Sequence, residues 1–442
     1  MLEKRKFVIS KNLILGLLLV LVLFIPVNGA NARPYLFILL LSVPLVLMNS
    51  MKITVRNISW YSVYYASTVF LSLLIHFYQG SVVSAISFFA FFVCAPAIIK
   101  KSVLTRKNFE DLISFIIFVF MIYAVLGIIE AFTHFNIFDI IFQRSFEEFG
   151  ANEYRSGIYR GHGFLTVSIN NAMLMNMVWS IAAYKFCNAK NNKAFWFISW
   201  LIIGLDVVLI MSRMVIAIAV ISQLLIFRKN GIKWFSKRLL IIICAFLICL
   251  YFIGEEQFDA LWKTVAGLFT PIIDEIFGTS FSASVNSTFQ GSGQRFELWS
   301  WVYNDVKNNL LFGNGYTEKF FHMYNNVSSS GYAYSVVKSS IEVHWLFVLF
   351  QKGLFGLSGF IVYQIGCVKK VFKRNVKIYE QRVTFHYVAK VITIVYFISL
   401  FTCSGFEDLN FFYIVMALHS AYLAVCGNGT LRKNNLAQGD TL

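Results

Sequence analysis

Charge is what this sequence has least of. Only 14% of its 442 residues are charged, while 58% are hydrophobic. A soluble domain carries roughly 25% charged and about 45–50% apolar residues, so the balance speaks against a cytosolic globular enzyme. Proline and glycine are also sparse, at 5 and 26 residues, which excludes a fibrous or low-complexity chain. The seven cysteines form no CxxC pair and keep no metal-type spacing with histidine, so neither a zinc site nor a disulfide framework is indicated. Acidic residues number 22 against 38 Lys and Arg, a net charge of +16. An excess of that size fits nucleic acid or a membrane rim, and only the placement of the charges separates the two.

What fills the chain instead is long apolar runs. A bilayer core about 30 Å thick needs about 20 apolar residues in a helix. Twelve segments meet this reading, near 12–27, 34–50, 59–78, 81–99, 111–133, 164–184, 194–211, 214–227, 239–253, 341–368, 385–402 and 409–426. The run from 341 is long enough to be tilted or kinked. The opening Met1–Lys6, followed by an apolar run without a small-residue cleavage site, reads as a first anchor and not a removed signal peptide. With the N-terminus in the cytoplasm, the tails and loops on that side hold 26 of the 38 Lys and Arg, and the bias recurs in every loop. Both termini are therefore expected in the cytoplasm. The positive charge becomes a cytoplasmic rim, and no nucleic-acid partner is expected.

Two outer segments are longer than simple connections, near 134–163 and 254–338. They divide the chain into an N-terminal helical part (1–253) with the smaller loop, the large loop (254–338), and a C-terminal part (339–442) with three spans and a tail. Within the large loop, Phe258–Phe277 and Gln294–Val306 carry helical apolar spacing, and Gly291-Ser292-Gly293 and Gly313-Asn314-Gly315 punctuate turns.

The few polar residues near the outer boundary are the candidates for chemistry. Arg213 lies between two spans with almost no loop around it, facing headgroups or a cleft. Arg295 opens the Gln294–Val306 helix, where unpaired backbone N–H groups and a guanidinium suit an oxyanion, although a surface pair with Glu297 would also account for it. His344, where the large loop returns to the membrane, is either an interfacial residue or a group able to take a hydroxyl proton. Arg155, Tyr159, Arg160 and His162 share a stretch with three glycines that suits a glycan or phosphate, or is a solvated loop. Glu130 and Asp206 are acids inside spans, functional by default or packed against a partner.

Three blocks carry a family resemblance. They are Met211-Ser212-Arg213; Gly293–Trp299 with Asn309-Leu310-Leu311-Phe312-Gly313-Asn314-Gly315; and His344 with Phe350-Gln351-Lys352-Gly353-Leu354-Phe355-Gly356-Leu357. In order and spacing they resemble the O-antigen ligase and O-antigen polymerase superfamily, over roughly residues 150–360. Leu310 replaces the usual proline, Trp345 the asparagine that often follows the histidine, and Gln351-Lys352 the usual glutamate.

The resemblance implies an all-α, polytopic membrane fold of the membrane-embedded C type, with about twelve transmembrane helices and a large periplasmic loop containing short helices. It implies a bacterial inner-membrane glycosyltransferase acting at the periplasmic face. A glycan would pass from an undecaprenyl-diphosphate carrier to a lipid-linked repeat unit (polymerase) or to lipid A–core (ligase), by an inverting route without metal or other cofactor. Carried over by position, Arg213 and Arg295 would bind the diphosphate and His344 would orient or deprotonate the acceptor hydroxyl. Arg155 and Arg160, with Tyr159 and His162, would contact substrate. A partner controlling chain length belongs to the same picture. The departures around His344 favour the polymerase. A lipid-linked oligosaccharide transporter is the contrasting class, but no internal repeat is visible and the large one-sided loop does not suit it.

Overall fold

The computed structural model describes residues 11–25, 33–47, 60–77, 79–142, 154–155, 158–159, 161–165, 168–210, 212–229, 291–315, 320–327, 333–338, 341, 343–372, 383–401 and 411–439. The expected span 239–253 and the expected helix Phe258–Phe277 lie outside them. Each of the other expected spans falls on a helix.

The N-terminal half runs α1 (Lys11–Val22), α2 (Pro34–Leu47), α3 (Trp60–Ile75), α4 (Gln79–Phe89), a π-turn (Ala90–Cys94), α5 (Ala95–Ser102), α6 (Arg106–Thr133), the short α7 (Ile137–Ile141), α8 (Ser168–Asn188), α9 (Lys193–Leu209) and α10 (Arg213–Lys229). The later part runs α11 (Gly291–Val306), a 3-10 turn, α12 (His344–Phe372), α13 (Phe385–Ser399) and α14 (Phe411–Gly439). Among the described residues two small hairpins complete it: β1 (Tyr154–Arg155) with β2 (Ile158–Tyr159), and β3 (His322–Val327) with β4 (Ala333–Lys338). The second is antiparallel with His322 opposite Lys338. It lies in the large loop, where only helices were expected. The signal there is weak because Asn325 and Asn326 interrupt any apolar alternation.

Among the described residues, three helical stretches are by length and composition long and apolar enough to cross a membrane: Val82–Ser102, Arg106–Thr133 and His344–Phe372. Shorter apolar helices stand beside them. Apolar residues do not stop at the core. On α6 the outward stripe Phe118, Ile122, Val125, Ile129 and Phe132 is exposed, while Phe109, Ile113, Ile116 and Phe120 are buried. A helix that is apolar on every side suits a lipid surround and not water.

Local signals set the helix ends. Thr105 caps α6 by accepting from the Asn108 amide at 3.1 Å, and α6 stops at His134, whose left-handed φ of 58° lets its amide close onto Glu130 O. Thr384 caps α13 in the same way. At the centre stands α8, packed by α6, α9, α10 and α13 and buried nearly all round. Two of its asparagines accept from neighbouring helices. Tyr123 donates to Asn171 Oδ1 at 2.7 Å and Ser222 to Asn176 Oδ1 at 3.3 Å. α3 lies along α12, where Gly359 and Gly366 admit Thr68 and Tyr61.

The expected span 341–368, long enough to be kinked, is sharply broken. α12 is broken at Gly353, whose backbone (φ 62°, ψ −166°) is not helical. Sixteen residues of straight helix would separate His344 from Phe360 by about 24 Å. Their rings stand 5.1 Å apart, and Trp345 meets Phe360 at 5.3 Å. The nine residues before the break therefore fold back beside the rest of the helix. Uninterrupted hydropathy hides such a reversal.

Candidate functional site

A broken helix leaves carbonyls unpaired at the end of its first half and amides unpaired at the start of its second. Here the segment following α11 supplies partners for both. The Asn314 amide donates to Phe350 O at 2.8 Å and the Gly315 amide to Gln351 O at 3.0 Å. The Leu354 amide donates to Leu310 O at 2.9 Å and the Phe355 amide to Leu311 O at 3.0 Å. So close an approach requires glycine: a Cβ on Gly313 would stand 2.5 Å from the Gly353 nitrogen, and both glycines have positive φ (74° and 62°). The second and third sequence blocks are thus halves of one backbone interlock.

The interlock is continuous with an apolar cluster. Leu298, Val302 and Val306 of α11 pack with Phe320, Ile341, Val343, Leu346 and Phe350. The helix that carries Arg295 in its first turns is thereby joined to the segment that begins with His344. His344 is 1% exposed; its ring lies against Phe360 and Phe347, and its amide donates to Leu400 O at the end of α13 at 2.9 Å. α13 in turn packs on α10, which opens at Arg213. The side chains of Arg213, Arg295 and Arg155 and the whole of Arg160 lie outside the described residues. For Arg213, Arg295 and Arg155 the structure gives the backbone: the starts of α10 and α11 and the strand β1.

Tyr159 and His162 come together, but their polar atoms turn inward, toward Glu130. This buried carboxylate near the end of α6 accepts from the His162 amide (3.0 Å), the Gly163 amide (3.1 Å), Asn136 Nδ2 (3.0 Å) and the Tyr159 hydroxyl (3.4 Å). The His162 ring spans two acids, with Nδ1 3.5 Å from Glu130 and Nε2 3.2 Å from Asp139. His162 is 3% exposed, and Tyr159 stacks on His134 at 4.9 Å. This arrangement ties Tyr159, His162 and Gly163 to the end of α6. Asn136 and Asp139, which complete it, are brought in by the short helix α7 and its cap.

Asp206 of α9 is 1% exposed and presses on Gly127 of α6, one helical turn from Glu130. Its Oδ2 has no hydrogen-bond partner among the described residues. Lys352, one of the departures from the family pattern, is buried at the α12 break with its stem against Gly356. Among the described residues no His, Cys, Asp and Glu side chains gather as a metal centre would need; Glu130, His162 and Asp139 form a row and do not surround a point.

Sequence reasoning also passed over a half-buried pair in the large loop. His322 Nε2 is 3.0 Å from Asp305 Oδ2, and the Trp301 ring lies parallel to the imidazole at 5.4 Å and 7°. Asp305 is in the last turn of α11, and its carbonyl accepts from Asn314 Nδ2 of the interlock at 3.2 Å. The contact crosses 17 residues of chain, so spacing alone does not reveal it.

Compared with protein-family models and with curated proteins, the sequence finds no match.

Proposed function

We propose that the protein is a membrane glycosyltransferase that moves a glycan from an undecaprenyl-diphosphate carrier onto a hydroxyl of a lipid-linked repeat unit, as a surface-polysaccharide polymerase of the bacterial inner membrane. The reading starts from the resemblance of Met211–Arg213, Gly293–Gly315 and His344–Leu357 to the O-antigen ligase and polymerase superfamily. One observation supports it most: the last two blocks dock backbone to backbone through Gly313 and Gly353, 40 positions apart in sequence. A motif shared by descent is expected to form one structural unit.

In this reading Arg213 and Arg295 hold the diphosphate, whose charge grows as the sugar leaves. Guanidinium groups meet that charge with paired N–H donors. His344 orients the acceptor hydroxyl. Arg155 and Arg160 are further donors to phosphate or sugar. Tyr159 and His162 act at one remove, by fixing that segment on Glu130 and Asp139. The exposed apolar stripe of α6 faces lipid, both termini lie in the cytoplasm, and the site opens to the periplasm.

The test is a deletion strain complemented with the wild-type gene. Loss of the gene should leave lipopolysaccharide capped with a single repeat unit. Bare core with accumulated lipid-linked polymer would instead assign the ligase reaction, and unchanged glycan in the strain would remove the glycosyltransferase reading.

A further inference from the structure

His344 is deeply buried against phenylalanines, an awkward position from which to receive a proton from an incoming sugar hydroxyl. A second imidazole is more open to solvent. His322 and Asp305 are part-buried, with side-chain exposures of 25% and 30%, so the pair is reachable from outside. The carboxylate oxygen 3.0 Å from Nε2 requires Nε2 to carry the hydrogen. Nδ1 then holds a lone pair, and it has no hydrogen-bond partner among the described residues. Trp301, parallel to the ring, holds its plane, and Phe320 flanks it at 4.9 Å. The pair is anchored to the interlock through Asn314 and Asp305 O, and it stands on the helix that carries Arg295. An imidazole fixed in one tautomer by a carboxylate is the arrangement a general base needs.

We propose that His322 is the general base of glycan transfer and Asp305 its positioning residue; this rests on the glycosyltransferase reading above. As the acceptor oxygen bonds to the anomeric carbon, its proton passes to His322 Nδ1. The bond from that carbon to the diphosphate oxygen breaks, and the electron pair leaves with the undecaprenyl diphosphate. The proton is then released to water or to the departing diphosphate. His344 keeps a positioning part, through its packing at the start of α12.

The experiment uses the full-length protein in liposomes with undecaprenyl-diphosphate-linked repeat unit as donor and acceptor. His322→Gln retains an amide N–H able to reach Asp305 and removes the base. It should fold as wild type and lose kcat by about a hundredfold or more with little change in KM. His322→Ala should be equally slow and should regain activity with added imidazole. Asp305→Asn should be slowed less. Wild-type kcat in His322→Gln, or His322→Ala that imidazole does not rescue, overturns the proposal. Should His322→Gln fail to fold, the imidazole rescue of His322→Ala decides. Transfer abolished by His344→Ala but intact in His322→Gln sinks this proposal alone. No transfer by the wild-type protein removes the glycosyltransferase reading and this inference with it.

Discussion

Gly313 and Gly353 approach so closely that a methyl group on either would stand 2.5 Å from the other's backbone nitrogen. Each also has a positive φ, 74° and 62°, and at Gly353 (ψ −166°) the backbone is one open essentially to glycine alone, at a cost of about 1–3 kcal/mol for another residue. Gly313→Ala and Gly353→Ala should each open the interlock. The expected result is a lowered unfolding midpoint of the protein in detergent and loss of glycan transfer. A midpoint within a degree of wild type for both would show that the two backbones separate freely.

Glu130 gathers two amides, an Asn side chain and the His162 ring in a buried setting. Glu130→Gln keeps its size but weakens every acceptor contact, and a cost of about 1–3 kcal/mol is expected. Hydrogen exchange across residues 159–165 should rise. Because the partners are shared, Glu130→Gln combined with His162→Ala should cost less than the sum of the single changes. Full additivity would place His162 outside this network.

Asp206 fills the space above Gly127, where a Cβ would collide with its carboxylate. Gly127→Ala alone should destabilise α6 against α9. Adding Asp206→Ala should restore much of that loss, since the second change removes the obstruction. The unfolding midpoints of the two single variants and the double variant check this, and no recovery would mean that Gly127 matters for another reason.

Arg213→Ala, Arg295→Ala and His344→Ala should each abolish glycan elongation while the protein stays in the membrane. Arg→Lys at 213 and 295 should rescue poorly, because an ammonium cannot reproduce two parallel N–H donors. Chain-length profiles on gels, with membrane levels by immunoblot, measure both. Wild-type profiles from all three alanine variants would dissolve the proposed site. Purified protein should also transfer glycan in EDTA; strict dependence on Mg²⁺ would contradict a cofactor-free route.

Helices were easy to foresee, since long apolar runs such as 111–133 leave the backbone no other way to satisfy its hydrogen bonds in lipid. α11 appeared within a few residues of the expected Gln294–Val306. What stayed hidden depends on contacts distant in sequence. Gly353 sits in an apolar stretch that reads as one span, and only the loop at 310–315 makes the reversal there stable. Tyr159 and His162 were legible as polar residues beside glycines, yet their inward orientation follows from Glu130, Asn136 and Asp139. Nothing in the sequence pairs Asp305 with His322, which meet only because the hairpin packs on α11.

The character of α8 bears on how the chain is made. Although 21 residues long, it is not among the helices apolar enough to cross by themselves, and Asn170, Asn171 and Asn176 are all buried along it. Released singly from the translocon, such a segment would meet hydrocarbon with its amides unsolvated. The burial of those amides therefore depends on the companions packed round α8, namely α6, α9, α10 and α13.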